Sequence, residues 1–401
     1  MNSMSGLLLG CTMALSALTV QAQTPLKPKI GVLTDMSATY SDVTGKGAVT
    51  AAQMAIEDFA DLHPDVQAEM ISGDHQNKTD VAMAVARGWF DNEGVDVIAE
   101  LTTSSVALAA QQLATEKNKL LLISGAGSSD LTGKNCTANS ISWVYDTYAM
   151  ANGTGRAVVQ QGGKTWYMMT VDYAFGAALE RDAAQAIVAE GGSIVGSVKH
   201  PLNSSDLSSQ IFSAIASKAQ IIGLANAGGD LITAIKQARE FGVAENSQRL
   251  AALLFYISDV HSLGLEQAQG LYLTTGFYWD LNDKSREWSH RFFERTQRMP
   301  TMAQAGVYSS ITHYLKAVQQ AKTTDTAIVR EAMGKIPVND MFTTQGVIRD
   351  DGRMVHDLYL ARVKRPDESK EPWDYYDILR TIPGEQAFRS TAEGGCPLVS
   401  N

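Results

Sequence analysis

Short apolar runs alternate along this chain with stretches in which apolar residues recur at helical spacing. The run at residues 30–33 predicts a buried strand, and Val49, Ala52, Ile56 and Phe59 after it share one face of a helix. This pair of patterns returns about every 25 to 30 residues, the spacing of βαβ units in a parallel sheet covered by helices on both faces. The strands predicted in this first unit are residues 30–33, 70–71, 95–99 and 120–123.

The same alternation begins again at residue 166. Two doubly wound units in one chain predict an α/β fold of two Rossmann-like lobes, with any ligand at the carboxyl ends of strands. After the second unit, we predict an amphipathic helix at residues 288–298, a longer helix around 305–315, and a strand that leads into a tail punctuated by Pro and Gly. The later strands are predicted at residues 166–169, 193–195, 221–224, 252–255, 271–273 and 358–363.

The N-terminal residues predict export. An apolar stretch at residues 7–20 is followed by a small-x-small pattern that ends at Ala22, which is typical of a cleaved signal peptide. A membrane span needs about 20 consecutive apolar residues, and neither this stretch nor any later one is long enough. An alternative interpretation is a lipoprotein processing site at Cys11. We assign residues 1–22 to a signal peptide and expect the mature chain in the periplasm, without membrane insertion.

Composition and length indicate a folded globular chain of two domains. The 401 residues are 45% hydrophobic and 19% charged, which is typical of a globular chain, and without the signal their number suits two domains. The net charge of −10 disfavours nucleic acid and anionic membrane surfaces as partners. Cys136 and Cys396 remain after export, so we expect a disulfide between them, with two separate buried thiols as the alternative.

The motifs of common enzymes are missing. No P-loop or Gly-x-Ser-x-Gly elbow occurs, and the Gly-x-Gly at Gly125 and Gly127 has Asp130 where a dinucleotide fingerprint needs its third glycine. The histidines are scattered, and His75 alone follows a predicted strand end, where a solvated loop residue is the simpler interpretation. We therefore expect no catalysis, no cofactor and no metal, although a secreted hydrolase with a site assembled from distant residues stays open.

Hydroxyl- and glycine-rich segments follow two neighbouring strands of the first unit. Residues 102–105 begin a helix after the third strand, and residues 124–129 follow the fourth. Hydroxyls, backbone N–H groups and a helix N-terminus together form a site for an anion. The second unit supplies Tyr173, Asn226, Asp230 and Tyr256 at its strand ends, and aromatic rings with few polar groups suit a small apolar body. Packing between the lobes is the alternative role of Tyr173 and Tyr256.

Several of these segments, taken in order, resemble the branched-chain amino acid-binding proteins, which are receptors of ABC importers. The segments are residues 35–40, 123–132, 172–176 and 226–230, together with the strand, loop and helix through Phe59. The resemblance covers nearly the whole mature chain. It implies two lobes with the ligand in the cleft, joined by three crossings near Tyr145, Phe277 and Ile348. Lobe 1 would combine residues 24–145 with 277–347, and lobe 2 would combine 146–276 with 348–401.

The resemblance also implies a set of ligand contacts. Ser104 or Ser105 would grip a carboxylate with the hydroxyl of Ser128 and the backbone of Ala126. Tyr173 and Asp230 would act from the second lobe, with Asp230 on an ammonium group. Family members usually have Glu where Asp230 stands and often an aromatic residue where Asn226 stands, so this chain departs from the family pattern at the ammonium contact. The segments 103–108, 226–230 and 394–399 look more like the branch associated with aromatic carboxylates such as benzoates and hydroxycinnamates.

We therefore expect a monomeric binding protein that closes around its ligand by a hinge and delivers it to a membrane permease. The carboxylate would dock on Ser104, Ser105, Ser128 and Ser129, and Tyr40, Tyr173 and Tyr256 would close over the rest. A receptor for Leu, Ile or Val, and a protein that presents its ligand to a sensor, are the alternatives.

Overall fold

The computed structural model describes residues 25–243, 245 and 247–399. The predicted signal peptide, residues 1–22, lies outside these residues. Within the described part of the chain, the structure contains no helix long and apolar enough to cross a membrane.

The first sheet is entirely parallel, in the order β2-β1-β3-β4-β5. Its strands lie between helices, and β3 and β4 are completely buried because both faces are covered. The strands are β1 (Lys29–Thr34), β2 (Glu69–Asp74), β3 (Val97–Glu100), β4 (Leu120–Ile123) and β5 (Ser140–Ser142). The helices that connect them are α1 (Gly45–Leu62), α2 (Thr79–Asp91) and α3 (Ser104–Lys117).

The second sheet repeats this topology. A continuous helical segment leads to it: α4 (Thr147–Met150), a π-helical turn (Ala151–Gly155) and α5 (Arg156–Gln160). The sheet is parallel in the order β7-β6-β8-β9, the same sequence of crossovers as in the first sheet. Its strands are β6 (Thr165–Val171), β7 (Ser193–His200), β8 (Ile221–Ala225) and β9 (Arg249–Ala252). Its helices are α6 (Ala174–Ala189), α7 (Ser208–Ala216), α8 (Gly228–Glu240), α9 (Ile257–Leu263) and α10 (Leu265–Ala268).

The last third of the chain contacts both units. β10 (Tyr272–Thr275) pairs with β13 (Leu358–Val363), which pairs with β14 (Tyr376–Ile382), and this sheet is antiparallel. Between them the chain returns to the first unit, where α12 packs along α1 and reaches β3. This part contains α11 (Asp283–Thr296), α12 (Met302–Ala321), α13 (Thr326–Lys335), the hairpin of β11 (Val347–Ile348) and β12 (Met354–Val355), and after β14 the short helices α14 (Gly384–Ala387) and α15 (Thr391–Gly394).

The predicted α/β fold of two lobes is confirmed, and the differences are local. The apolar run at residues 252–255 was expected as a strand, but β9 ends at Ala252 and the next residues are buried in the turn to α9. The helix expected at residues 288–298 begins earlier, because the side chain of Asn282 accepts the N–H of Ser285 and caps it. β5 has a single apolar residue, and β14 lies in the segment interpreted as a tail, so neither shows the pattern of a buried strand.

The expected disulfide between Cys136 and Cys396 is formed, with 5.6 Å between the two Cα atoms. It fastens the C-terminal segment to the loop after β4. The guanidinium of Arg389 donates to the carbonyl of Ser129, 3.0 Å away, and strengthens the same attachment.

Candidate functional site

The two parallel sheets direct their carboxyl ends towards one small cavity. Its walls come from the loops after β1, β3, β4 and β5 on one side and after β6, β8 and β9 on the other. The centre of a water molecule can occupy about 20 Å³ of this cavity, so the cavity has room for about one water. The lining residues are Tyr40, Val43, Thr102, Ser104, Gly125, Gly127, Tyr145, Tyr173, Phe175, Ala227, Leu254 and Tyr256.

Hydrogen-bond donors gather at the end of the cavity that is formed by the first sheet. Ser104 is the first residue of α3, so the positive end of the helix dipole lies there. Its Oγ accepts the backbone N–H of Ser128 at 3.1 Å, which leaves the hydroxyl proton free to donate. The N–H groups of Ala126 and Gly127 have no acceptor within the described residues. This end can therefore bind an anion without any cationic side chain.

Four tyrosines form the body of the cavity in two hydrogen-bonded pairs. The hydroxyls of Tyr40 and Tyr173 are 2.7 Å apart. Tyr256 donates to the hydroxyl of Tyr145 at 2.6 Å, and Tyr145 donates to the carbonyl of Gly125 at 2.5 Å. Burial raises the pKa of each of the four, so all the hydroxyls stay protonated. Tyr145 and Tyr256 already use their protons in these bonds, and one proton of the Tyr40 and Tyr173 pair remains to donate.

Nearby carboxylates fold the loops that carry Tyr40 and Tyr256. Asp35 accepts the N–H of Ala38 at 2.8 Å and that of Tyr40 at 3.0 Å, which closes the loop after β1. Asp259 accepts the N–H of Tyr256 at 3.0 Å at the start of α9. The loop after β1 is thus closed on itself, and Tyr256 is tied to the first turn of α9.

Glu100 lies beneath the anion-binding end. It is fully buried at the end of β3, and its Oε2 accepts the hydroxyl of Thr102 at 2.6 Å, while its Oε1 has no hydrogen-bond partner within the part of the chain that the structure describes. Burial raises the pKa of Glu100 to about 8, so the carboxyl is protonated at neutral pH. Glu100 and Leu101 also have positive φ angles of 87° and 58°, a strained backbone that turns the chain towards Ser104.

The structure brings together part of the predicted set. Tyr40, Ser104, Tyr173 and Tyr256 line the cavity, and Ala126 lies between two lining glycines. Ser128 contacts the site through its N–H, and its own hydroxyl accepts the N–H of Asp130 at 3.3 Å. The lining set does not include Ser105.

Three other predicted residues lie outside the lining. The hydroxyl of Ser129 is 2.6 Å from Oδ2 of Asp182 and belongs to a separate buried network. The amide of Asn226 is 3.0 Å from Nε2 of His200. The two carboxyl oxygens of Asp230 accept the N–H groups of Asn203 and Ser204 at 3.1 and 2.9 Å, so they hold the loop after β7.

Sequence reasoning did not single out Tyr145 or Glu100 as site residues, and it included Thr102 only as part of the hydroxyl-rich segment 102–105. Tyr145 follows β5, which was not recognised as a strand, so its place at a strand end was hidden. Glu100 closes an apolar strand and resembles an ordinary boundary residue in the sequence. A carboxylate directly after a fully buried parallel strand was the one available signal.

Comparison with known proteins places this geometry in a family. Residues 27–370 match the periplasmic binding proteins. The chain belongs to that family. The prediction of a binding protein without catalysis is confirmed by this membership, since the family and its structural neighbours bind solutes. A search among curated proteins gives no match.

Solved structures of related periplasmic binding proteins agree over nearly the whole chain. One from Burkholderia mallei is 49% identical, covers 93% of this chain and 99% of its own, and superposes with a TM-score of 0.91. A branched-chain amino acid ABC transporter ligand-binding protein from Burkholderia xenovorans LB400 is 39% identical, covers 92% and 99%, and has a TM-score of 0.83. A solute-binding protein from Rhodopseudomonas palustris BisB5, in complex with 3,4-dihydroxybenzoic acid, shares the fold at 20% identity, 89% and 98% coverage and a TM-score of 0.79.

Proposed function

We propose that this periplasmic binding protein captures a small aromatic carboxylate for an ABC importer. The observation that carries the proposal is the division of the cavity into an end of hydroxyl and N–H donors and a body of aromatic rings. A carboxylate fits the first and a planar ring fits the second.

The carboxylate would bind to the hydroxyl of Ser104 and to the N–H groups of Ala126 and Gly127. Tyr40 and Tyr173 would enclose the ring, with Tyr145 and Tyr256 at its other side. The narrow space between these side chains supports a hinge mechanism, because the walls must part before a molecule of this size can enter.

The lining supports an aromatic acid over an amino acid. An ammonium group needs an anionic partner, and none of the described lining residues carries an ionised side chain. Asp230, the acid expected for that role, already accepts two backbone N–H groups. The Burkholderia xenovorans relative carries a branched-chain amino acid name and favours the alternative, whereas the Rhodopseudomonas palustris neighbour contains a dihydroxybenzoic acid.

We further propose lobes of residues 24–145 with 277–347 and of 146–276 with 348–401, joined at three crossings. Segments from all three proposed crossings meet at His356. Its Nε2 is 2.7 Å from the carbonyl of Val144, and a Cβ on Gly276 would lie 3.1 Å from its Cε1. Such a junction supports a shared hinge. The remaining proposals are export by cleavage after Ala22, action as a monomer, and delivery of the ligand to a membrane permease.

The test is a thermal-shift screen of ligand-stripped, refolded protein against benzoates, cinnamates, amino acids and short dicarboxylates. A ligand that binds only the folded state raises the melting temperature. We expect a rise with aromatic carboxylates and none with leucine or valine. If only amino acids raise the melting temperature, the protein is an amino-acid receptor, which is the alternative function. If no aromatic acid raises it, the proposal is rejected.

A further inference from the structure

The loop that offers N–H groups to the ligand is held between two buried side chains. A Cβ on Gly125 would lie 2.0 Å from Oε1 of Glu100, and a Cβ on Gly127 would lie 2.5 Å from Cε2 of Tyr145. These distances leave no room for a larger residue at either position. The loop backbone therefore lies directly against the carboxyl group on one side and the tyrosine ring on the other.

Two hydrogen bonds connect this loop to the second sheet. Tyr256, which follows β9, donates to the hydroxyl of Tyr145, and Tyr145 donates to the carbonyl of Gly125, which follows β4. Tyr145 thus accepts from one sheet and donates to the other. Its side chain is only 2% exposed, so water does not compete for either bond.

The carbonyl of Gly125 shares one planar peptide with the N–H of Ala126. This N–H lacks an acceptor among the described residues although Ala126 is buried, and buried N–H groups are nearly always paired in native proteins. A hydrogen bond to the carbonyl of a peptide polarises its N–H and strengthens the bond which that N–H then makes. The hydrogen bond from Tyr145 to the carbonyl of Gly125 therefore polarises the N–H of Ala126, which is the donor available to an anion.

We propose that Tyr145 is a positioning residue that orients and polarises the Gly125–Ala126 peptide, so that Tyr256 of the second sheet strengthens the grip on the ligand's carboxylate. The inference rests on the proposed function for the nature of the ligand. The arrangement of the peptide belongs to the free protein as well, and it can be measured without any ligand.

The experiment compares Tyr145→Phe and Tyr256→Phe with the unaltered protein, because each variant removes one hydroxyl and keeps the ring. Affinities for benzoate and for its neutral analogue benzamide are measured by calorimetry. The backbone ¹⁵N resonance of Ala126 is recorded without ligand. Tyr40→Phe is the matched comparison, since it breaks the other tyrosine pair and leaves the Gly125 carbonyl untouched.

We expect Tyr145→Phe to weaken benzoate by about threefold to tenfold more than benzamide and to shift the Ala126 ¹⁵N resonance. Tyr256→Phe should act in the same direction with a smaller effect, and Tyr40→Phe should not shift that resonance. An unchanged Ala126 resonance in Tyr145→Phe, or equal losses for the two compounds, would overturn the inference. If no aromatic carboxylate binds the unaltered protein, the proposed function fails, and the resonance alone then decides whether Tyr145 positions the peptide.

Discussion

Glu100 illustrates how a single side chain at the base of the site is controlled by its surroundings. It is an acid without a cationic partner among the described residues, buried beside threonine hydroxyls and below the glycine loop. Asp35 adds to the effect of burial on its pKa. Charging Glu100 inside the folded protein is therefore unfavourable, and the cost must appear in the stability of the fold.

This cost predicts a pH dependence. The pKa of Glu100 is about 8 in the folded protein against 4.5 as its ordinary value, so the folded state keeps a proton that the unfolded chain releases. Its contribution to the free energy of unfolding should thus fall as pH rises through this window, by at most about 1.4 kcal/mol per pH unit. We expect Glu100→Gln to lose this slope and to gain stability over the unaltered protein towards pH 8.

Urea unfolding at several pH values between 5 and 8 measures the effect. Glu116→Gln on α3 is the control, because the Glu116 side chain is 58% exposed and its ion pair with Arg87 lies at the surface, where such pairs contribute little to stability. If the free energy of unfolding depends on pH with the same slope in Glu100→Gln and in the unaltered protein, Glu100 is already ionised in the folded state.

Among single residues, the sequence predicted those that stand at the ends of recognisable strands. Tyr40, Ser104, Tyr173 and Tyr256 all follow long apolar runs, and all four line the cavity. Tyr145 and Glu100 were missed because their roles depend on contacts between distant segments. Ser129 was grouped with Ser128 for its sequence neighbourhood, and only the packing of α6 shows that its hydroxyl is taken by Asp182.

At the scale of the element, α3 is the part of the fold that presents the first sheet to an anion. Its first residue points its hydroxyl into the cavity, and its second does not line the cavity. The helix dipole acts on both positions alike, so the two serines separate the effect of the hydroxyl from that of the helix end.

We therefore expect Ser104→Ala to weaken binding of the aromatic carboxylate by about tenfold or more, since a hydrogen bond to a charged group contributes about 1.5 to 3 kcal/mol. Ser105→Ala should change affinity much less. Calorimetry with the best ligand of the screen gives both values. If both variants lose the same affinity, Ser104 has no special role in binding. If only Ser105→Ala loses affinity, the role belongs to Ser105.

Elements were predictable where burial on both faces leaves a continuous apolar run. β1, β3, β4 and β8 are of this kind, and the sequence placed them to within a few residues. The sequence did not predict β5 because it is short, and it did not predict β14 because that strand is partly exposed along its length. Their hydrogen bonds come from neighbouring strands, which no local pattern encodes.

At the scale of the whole molecule, the disulfide is a covalent restraint between distant parts of the chain. The two cysteines are 260 residues apart in sequence, and the bond closes a loop that includes the entire second sheet. In the chain-entropy account, such a loop limits the unfolded chain more than a short one does.

We expect the double variant Cys136→Ser, Cys396→Ser to lose about 2 to 5 kcal/mol in free energy of unfolding. Chemical denaturation measures this, and the unaltered protein under reducing conditions should show the same midpoint as the variant. Identical midpoints for the oxidised protein and the variant would show that the C-terminal segment is held by its other contacts alone, such as that of Arg389.

The disulfide also determines what a single proteolytic cut does to this protein. The disulfide closes residues 136–396 into a covalent ring, and only residues 1–135 and 397–401 lie outside that ring. One cut in an exposed loop of that ring opens it without releasing any piece, because both new ends stay attached through the sulfur atoms. A molecule cut once in this ring therefore remains one covalent molecule, and only a second cut or a reductant separates its pieces.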